Sequence, residues 1–161
     1  MSTFLENTGG ANGMAFDAKG RLLATHVPWG GTKVSVIYPK GSEAVLVDGE
    51  YLLAFDVQPD GSLRNRRNFA RYEGVTKNAS GVTVSGADGI TIDGEGRLYV
   101  ATSVGVQVFS AQGQHLGTIP LSRAPQNLAF AGPDKKTLYV VGRGAAFKIE
   151  MLAQGFKDRA K

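Results

Sequence analysis

The sequence predicts an all-β protein built from β-propeller-type four-stranded blades, with roughly three to three and a half blades in the chain, a half-propeller. Three observations carry that prediction. One hairpin pattern recurs, as NGMAFDAKGRLLATH from Asn12, DGITIDGEGRLYVAT from Asp88 and QNLAFAGPDKKTLYVV from Gln126. The heads of these stretches lie 76 and 38 residues apart, two periods and one of a repeat whose length is that of a blade. Helical periodicity is nearly absent.

In chain order, residues 12–47 read as one blade. Apolar residues alternate with others, break at a turn containing Gly or Asp, and resume at a Leu, which is a β-hairpin. VSVIYPKGSEAVLV (34–47) supplies the second hairpin around Pro39, Lys40 and Gly41. A further head is due near position 50, but Glu50 stands there, and residues 48–51 read as a seam. Residues 52–72 follow as the outer hairpin of a partial blade, turning at Pro59, Asp60 and Gly61. The stretch 73–86, rich in Gly, Ser, Thr and Asn, reads as a mobile connection. Residues 88–121 form a blade whose outer hairpin turns at Gln112 and Gly113; residues 126–150 form most of another, closing with the strand in AAFKIEML. A basic tail, 151–161, ends what reads as a single propeller-like domain over 1–161.

Composition narrows the function classes. With 42% hydrophobic and 20% charged residues, the chain is expected to be globular and soluble rather than disordered. No apolar run is long enough to cross a bilayer as a helix. The opening MSTFLENTGGANG lacks the basic and apolar regions of a secretory signal, so the cytoplasm is the expected compartment. The absence of cysteine excludes disulfides, thiolate chemistry and Cys-ligated zinc. The net charge is +4, with basic residues gathered at Arg64, Arg66, Arg67 and Arg71 and at Lys157, Arg159 and Lys161. No nucleic-acid motif accompanies them, so they read as a solvated face and tail, with neither nucleic acid nor membrane as partner.

The strand heads are where chemistry is expected. If they converge, Asp88, Asn12, Gln126 or Asn127, and Glu50 can offer oxygens to a hard divalent ion, which takes six to eight of them. The competing reading has Asn12 and Asp88 bonding only backbone amides in the turn before a strand. Trp29, between Pro28 and Gly30–Gly31, either lines a ligand mouth or caps a blade edge. His26 and His115 read as surface residues, and no Ser-His-Asp arrangement is visible. DGEGR (93–97) lacks the acidic spacing of a calcium loop.

The same stretches, NGMAFDAKGRLLATH, LLAFDVQPDGSL, ADGITIDGEGRLYVAT with GVQVFSAQGQHLGTIPL, and APQNLAFAGPDKKTLYVV, resemble the senescence-marker-protein/gluconolactonase family, relatives of regucalcin. The resemblance runs from about Gly9 to Glu150 and is most specific over 88–141. It implies a fold of six-bladed propellers that hydrolyse sugar lactones or related esters with one divalent ion, often calcium. Laid on the family, 12–47 resembles the second blade, 52–72 the outer half of the fourth, 88–121 the fifth and 126–149 most of the sixth. In the family the ion is held by a Glu of the first blade, an Asn of the fourth and the Asp of a P-D-G motif in the fifth, with a third-blade Asn nearby. Only the last carboxylate carries over, as Asp88, with Ala87 where the family has Pro.

The resemblance therefore implies Asp88 as metal ligand and water-orienting catalytic residue, with Asn12 as a substitute ligand and calcium as the cofactor. Trp29, Gln126 and Asn127 are the candidate ligand contacts. Open blade faces would invite a second copy, so a homodimer completing a propeller is expected, with a small lactone or ester as substrate. The alternative is a non-catalytic propeller-like remnant that binds a small ligand or a protein.

Overall fold

The computed structural model describes residues 11–16, 22–26, 32–38, 40–46, 49–59 and 62–157; for the four strands before Gly49 it describes the backbone alone. Every regular element among these residues is a strand: β1 (Ala11–Phe16), β2 (Leu22–His26), β3 (Thr32–Tyr38), β4 (Lys40–Leu46), β5 (Tyr51–Val57), β6 (Leu63–Arg71), β7 (Thr76–Lys77), β8 (Thr83–Val84), β9 (Ile90–Ile92), β10 (Leu98–Thr102), β11 (Gly105–Phe109), β12 (His115–Ile119), β13 (Asn127–Ala131), β14 (Thr137–Gly142) and β15 (Ala145–Glu150). No helix among the described residues is long and apolar enough to cross a membrane. The class is all-β with propeller-type blades, as the repeat spacing requires.

The strands form four-stranded antiparallel sheets in the orders β1-β2-β3-β4 and β12-β11-β10-β9, a three-stranded sheet β13-β14-β15, and two-stranded sheets β5-β6 and β7-β8. Each is a meander of neighbouring hairpins, the blade pattern. By their contacts the residues group into two compact units, one of Met1–Val47 with Leu53–Arg67, the other of Asp48–Leu52 with Asn68–Lys161.

In the first unit, β1 pairs with β2 from Ala11↔His26 to Phe16↔Leu22, and the register slips between Ala11 and Met14. Asn12 and Gly13 occupy that irregularity. A bulge near a strand head re-aims the residues it contains. On the hairpin residues of this unit, Asp56 accepts hydrogen bonds from Asn65 Nδ2 and Arg67 Nη1, both at 2.8 Å.

The second unit has its core on both faces of β10. LYVAT is apolar at nearly every position, so it suits a strand covered on two sides. On one face Tyr99 and Ala101 pack with Val106 of the neighbouring β11 and with Leu128, Leu138 and Val140 of the following sheet. On the other, Val100 and Phe109 pack with Ala70 and Tyr72. Tyr72 meets Phe109 edge-on, with ring centroids 5.9 Å apart, and burial pushes its hydroxyl pKa up to about 12. The buried Gln107 clamps the chain after β6: its Oε1 accepts the Glu73 N–H and its Nε2 donates to the Glu73 carbonyl, each at 2.9 Å. The stretch 73–86 is thus anchored at its start. It goes on as the short β7-β8 hairpin, turned by Asn78 Oδ1, which accepts the N–H groups of Ser80 and Val82.

At the end of the blades away from the strand heads, Asp93 organises the β9–β10 turn. Its carboxylate accepts the N–H groups of Glu95 and Arg97, Arg97 Nε at 2.6 Å and the Tyr99 hydroxyl at 3.1 Å. Burial pushes the Asp93 pKa up, but these donors outweigh it and hold the carboxyl below the ordinary range. The segment after β15 crosses the same end. Met151 and Gly155 donate to the carbonyls of Lys136 and Lys135, while Gln154 and Ile92 accept from Gly94 and Phe156. Residues 151–156 thereby strap two hairpin turns together.

Asp93→Asn should remove about 2 kcal/mol of stability, because it leaves Arg97 facing a neutral group inside the turn. A carboxyl with a depressed folded pKa stabilises fully above its unfolded value of about 3.9 and loses that contribution as pH falls through the folded value. Urea unfolding repeated between about pH 5 and pH 3 should show this acid dependence in the parent protein and its reduction in the variant.

Candidate functional site

Antiparallel meanders place alternate turns at opposite ends. The heads of β9 and β13, the β10–β11 turn and the β14–β15 turn therefore share one end of the second unit. The two heads are joined directly: the Gly89 N–H donates to the Gln126 carbonyl at 2.8 Å. Each is also tied to its own sheet. Asp88 N–H donates to Ala101 at 3.0 Å, Ala101 N–H to Gly89 at 2.9 Å, and Gln126 N–H to Val141 at 2.8 Å.

The approach is close because residue 89 has no side chain. A Cβ there would lie 2.4 Å from Asn127 Oδ1 and 2.7 Å from Asn127 Cα. Residues 88, 126 and 127, identified from the repeat heads, are thus brought together.

Their side chains differ in how they are used. Asn127 Oδ1 accepts the N–H of Leu128 at 2.8 Å, and Gln126 Oε1 accepts the N–H of Arg143 at 3.1 Å. Both oxygens are occupied by backbone amides, so the side chains are oriented with their N–H groups left for a ligand. The Asp88 carboxylate is exposed and bonds no other described residue. The reading in which Asp88 only bonds backbone amides of its turn does not describe this carboxylate, and the Asn12 side chain, to which the same reading applies, lies outside the described residues.

A calcium ion takes six to eight oxygens and relies on several carboxylates. Among the described residues no three His, Cys, Asp or Glu side chains are grouped for a metal. One free carboxylate and two engaged amide oxygens fall short of a complete set. Asn12 lies on the bulge of β1 in the other unit, its side chain outside the described residues, as Trp29 is altogether. Glu50 is held by Arg71, whose Nε donates to Oε1 at 2.9 Å. His26 ends β2, and its side chain is outside the described residues. His115 is half-buried against the Phe109 ring, with Nε2 3.2 Å from Thr118 Oγ1.

Two features of this end escaped sequence reasoning. Arg143, at φ 49°, supplies the N–H that orients Gln126, and its own carbonyl accepts from Arg123 Nη1 at 3.0 Å. Ser103 donates through its hydroxyl (2.9 Å) and its N–H (3.0 Å) to the Ser85 carbonyl, fixing the loop that leads into Asp88. Neither leaves a local signal, since each bond joins a backbone group to a residue distant in sequence.

Blades stitched at their strand heads, with a free carboxylate at the seam, define a propeller-type protein with a polar site at one end of its blades. The family model described as the SMP-30/gluconolactonase/LRE-like region matches residues 47–143, and the chain belongs to that family. Among solved structures, it is similar to a gluconolactonase from Xanthomonas campestris, with a TM-score of 0.60 and 19% identity over 87% of this chain and 56% of that one. A protein described as a gluconolactonase in an X-ray structure gives 0.56 and 21%, over 91% of this chain and 40% of that one. A luciferin-regenerating enzyme gives 0.51 and 22%, over 91% and 47%. At these identities the likeness shows the fold, and the chain spans 40 to 56% of the length of these structures.

Gly89→Ala should destabilise the protein by about 1–3 kcal/mol, because Asn127 main chain cannot retreat without separating the heads. Chemical denaturation measures this, and an unchanged midpoint would mean that the heads are not in contact.

Proposed function

We propose that this protein is a hydrolase of sugar lactones or related esters, working at the joined heads of β9 and β13 with a divalent cation, calcium by preference. The observation that carries the reading is the exposed Asp88 carboxylate, which bonds no other described residue and stands one position before the Gly89–Gln126 backbone contact. Membership of the SMP-30/gluconolactonase/LRE-like family supports the substrate class. Asp88 would be the residue of this end that holds such a cation and, as an acceptor-only group, would orient a water toward the ester carbonyl. Gln126 and Asn127 donate to hydroxyls of the sugar. Asn12, the second ligand candidate in the sequence, and Trp29, its candidate for the ligand mouth, have side chains outside the described residues. A divalent cation contributes Lewis-acid polarisation of a carbonyl when bound.

A second reading, a non-catalytic remnant that binds a small ligand or a protein partner, is favoured by the incomplete donor set among the described residues. Turnover separates the two. Asp88→Ala should leave stability within about 0.5 kcal/mol, since the side chain makes no bond to lose, yet lower lactone hydrolysis by about a hundredfold or more. EDTA should abolish turnover and calcium restore it. A folded parent protein that turns over no lactone with calcium, zinc or manganese would reject the hydrolase and leave the binding reading.

A further inference from the structure

The two blades of the second unit repeat one another closely enough that each shows what should cover the other. Tyr99 in β10 lies opposite Thr91, and Tyr139 in β14 lies opposite Ala129, at the same place in the repeat. Yet Tyr99 is 3% exposed and Tyr139 44%, while Ala101 is 0% exposed and its counterpart Val141 47%. The difference lies in the neighbour. The sheet β13-β14-β15 lies on the Tyr99 face, pressing Leu128, Leu138 and Val140 against it. From Leu138 to Gly142 burial along β14 alternates, with Tyr139 and Val141 exposed, so its Tyr139 face is open.

The opposite surface shows the converse. Leu128 and Phe130 of β13 correspond to Ile90 and Ile92 of β9. Leu128 is 6% exposed, whereas Ile90 and Ile92 are 44% and 36% exposed. By register Ile90 sits beside Val100 and Ile92 beside Leu98, on one face of the sheet. That face is already an interface, where Val100, Leu98 and Phe109 pack with Ala70 and Tyr72. The Ile90–Ile92 strip continues it and is left open.

One chain thus carries both halves of a blade–blade interface, a face shaped for a following blade and a strip shaped for a preceding one. We propose that two copies of this chain associate, the Tyr139–Val141 face of each covering the Ile90–Ile92 strip of the other. A twofold pair makes this contact twice and closes, leaving neither surface for further growth. Exposed apolar surface rimmed by polar groups is what such association removes from water. This pairing rests on exposure and register rather than on the hydrolase reading, and its test reads mass, not turnover.

Light scattering after size exclusion should give twice 17.0 kDa for the parent protein. Tyr139→Lys with Val141→Lys, and separately Ile90→Glu with Ile92→Glu, should each give monomers with an unchanged β-sheet circular dichroism spectrum. Mixing the two monomeric variants should restore the dimer, because one lysine face meets one glutamate strip while the other contact stays apolar. Should a paired variant unfold, Val141→Lys and Ile90→Glu alone replace it. A monomeric parent, a variant that still dimerises, or a mixture that remains monomeric overturns the proposal.

Discussion

The structure of the second unit depends on one backbone hydrogen bond, from the Gly89 N–H to the Gln126 carbonyl at 2.8 Å. It forms only because nothing occupies the Cβ position of residue 89, where Asn127 closes in. Beneath it, the approach of the heads sets the distance at which Tyr99 and Ala101 meet Leu128 and Val140. Above it, the same contact fixes the backbone next to Asp88. Packing and the placement of the strand heads are therefore set at one point.

The two ends of the blades are built differently. At one end the polar groups are consumed: Asp93 binds four donors, and the 151–156 strap pairs its backbone with both turns. A buried carboxylate with its acceptor sites filled is rigid and inert. At the other end, backbone donors orient Gln126 and Asn127 but leave Asp88 free. Rigid support away from the site and uncommitted groups at the site are what a positioned binding or catalytic end requires.

The sequence revealed the hairpins well because their signals are local. Alternation about Gly-containing turns marks β9–β10 and β13–β14, and the 38-residue spacing of Asp88 and Gln126 places both at strand heads. What was illegible is non-local. The β7-β8 hairpin hangs on Gln107, which lies 34 residues from Glu73. The strap holds by backbone pairing that Met151–Phe156 side chains do not announce. Asp93, rejected from the sequence as part of a calcium loop, turns out to be wholly engaged by its own turn. The orienting role of Arg143 rests on its N–H and a left-handed φ, which no motif encodes.

Paramagnetic relaxation reads whether the joined heads of β9 and β13 take up a divalent cation, as proposed. Substoichiometric manganese added to isotopically labelled protein should broaden the amide signals of Asp88, Gly89, Gln126 and Asn127 first, and excess calcium should restore them. Broadening centred elsewhere, or none that calcium reverses, would contradict the account.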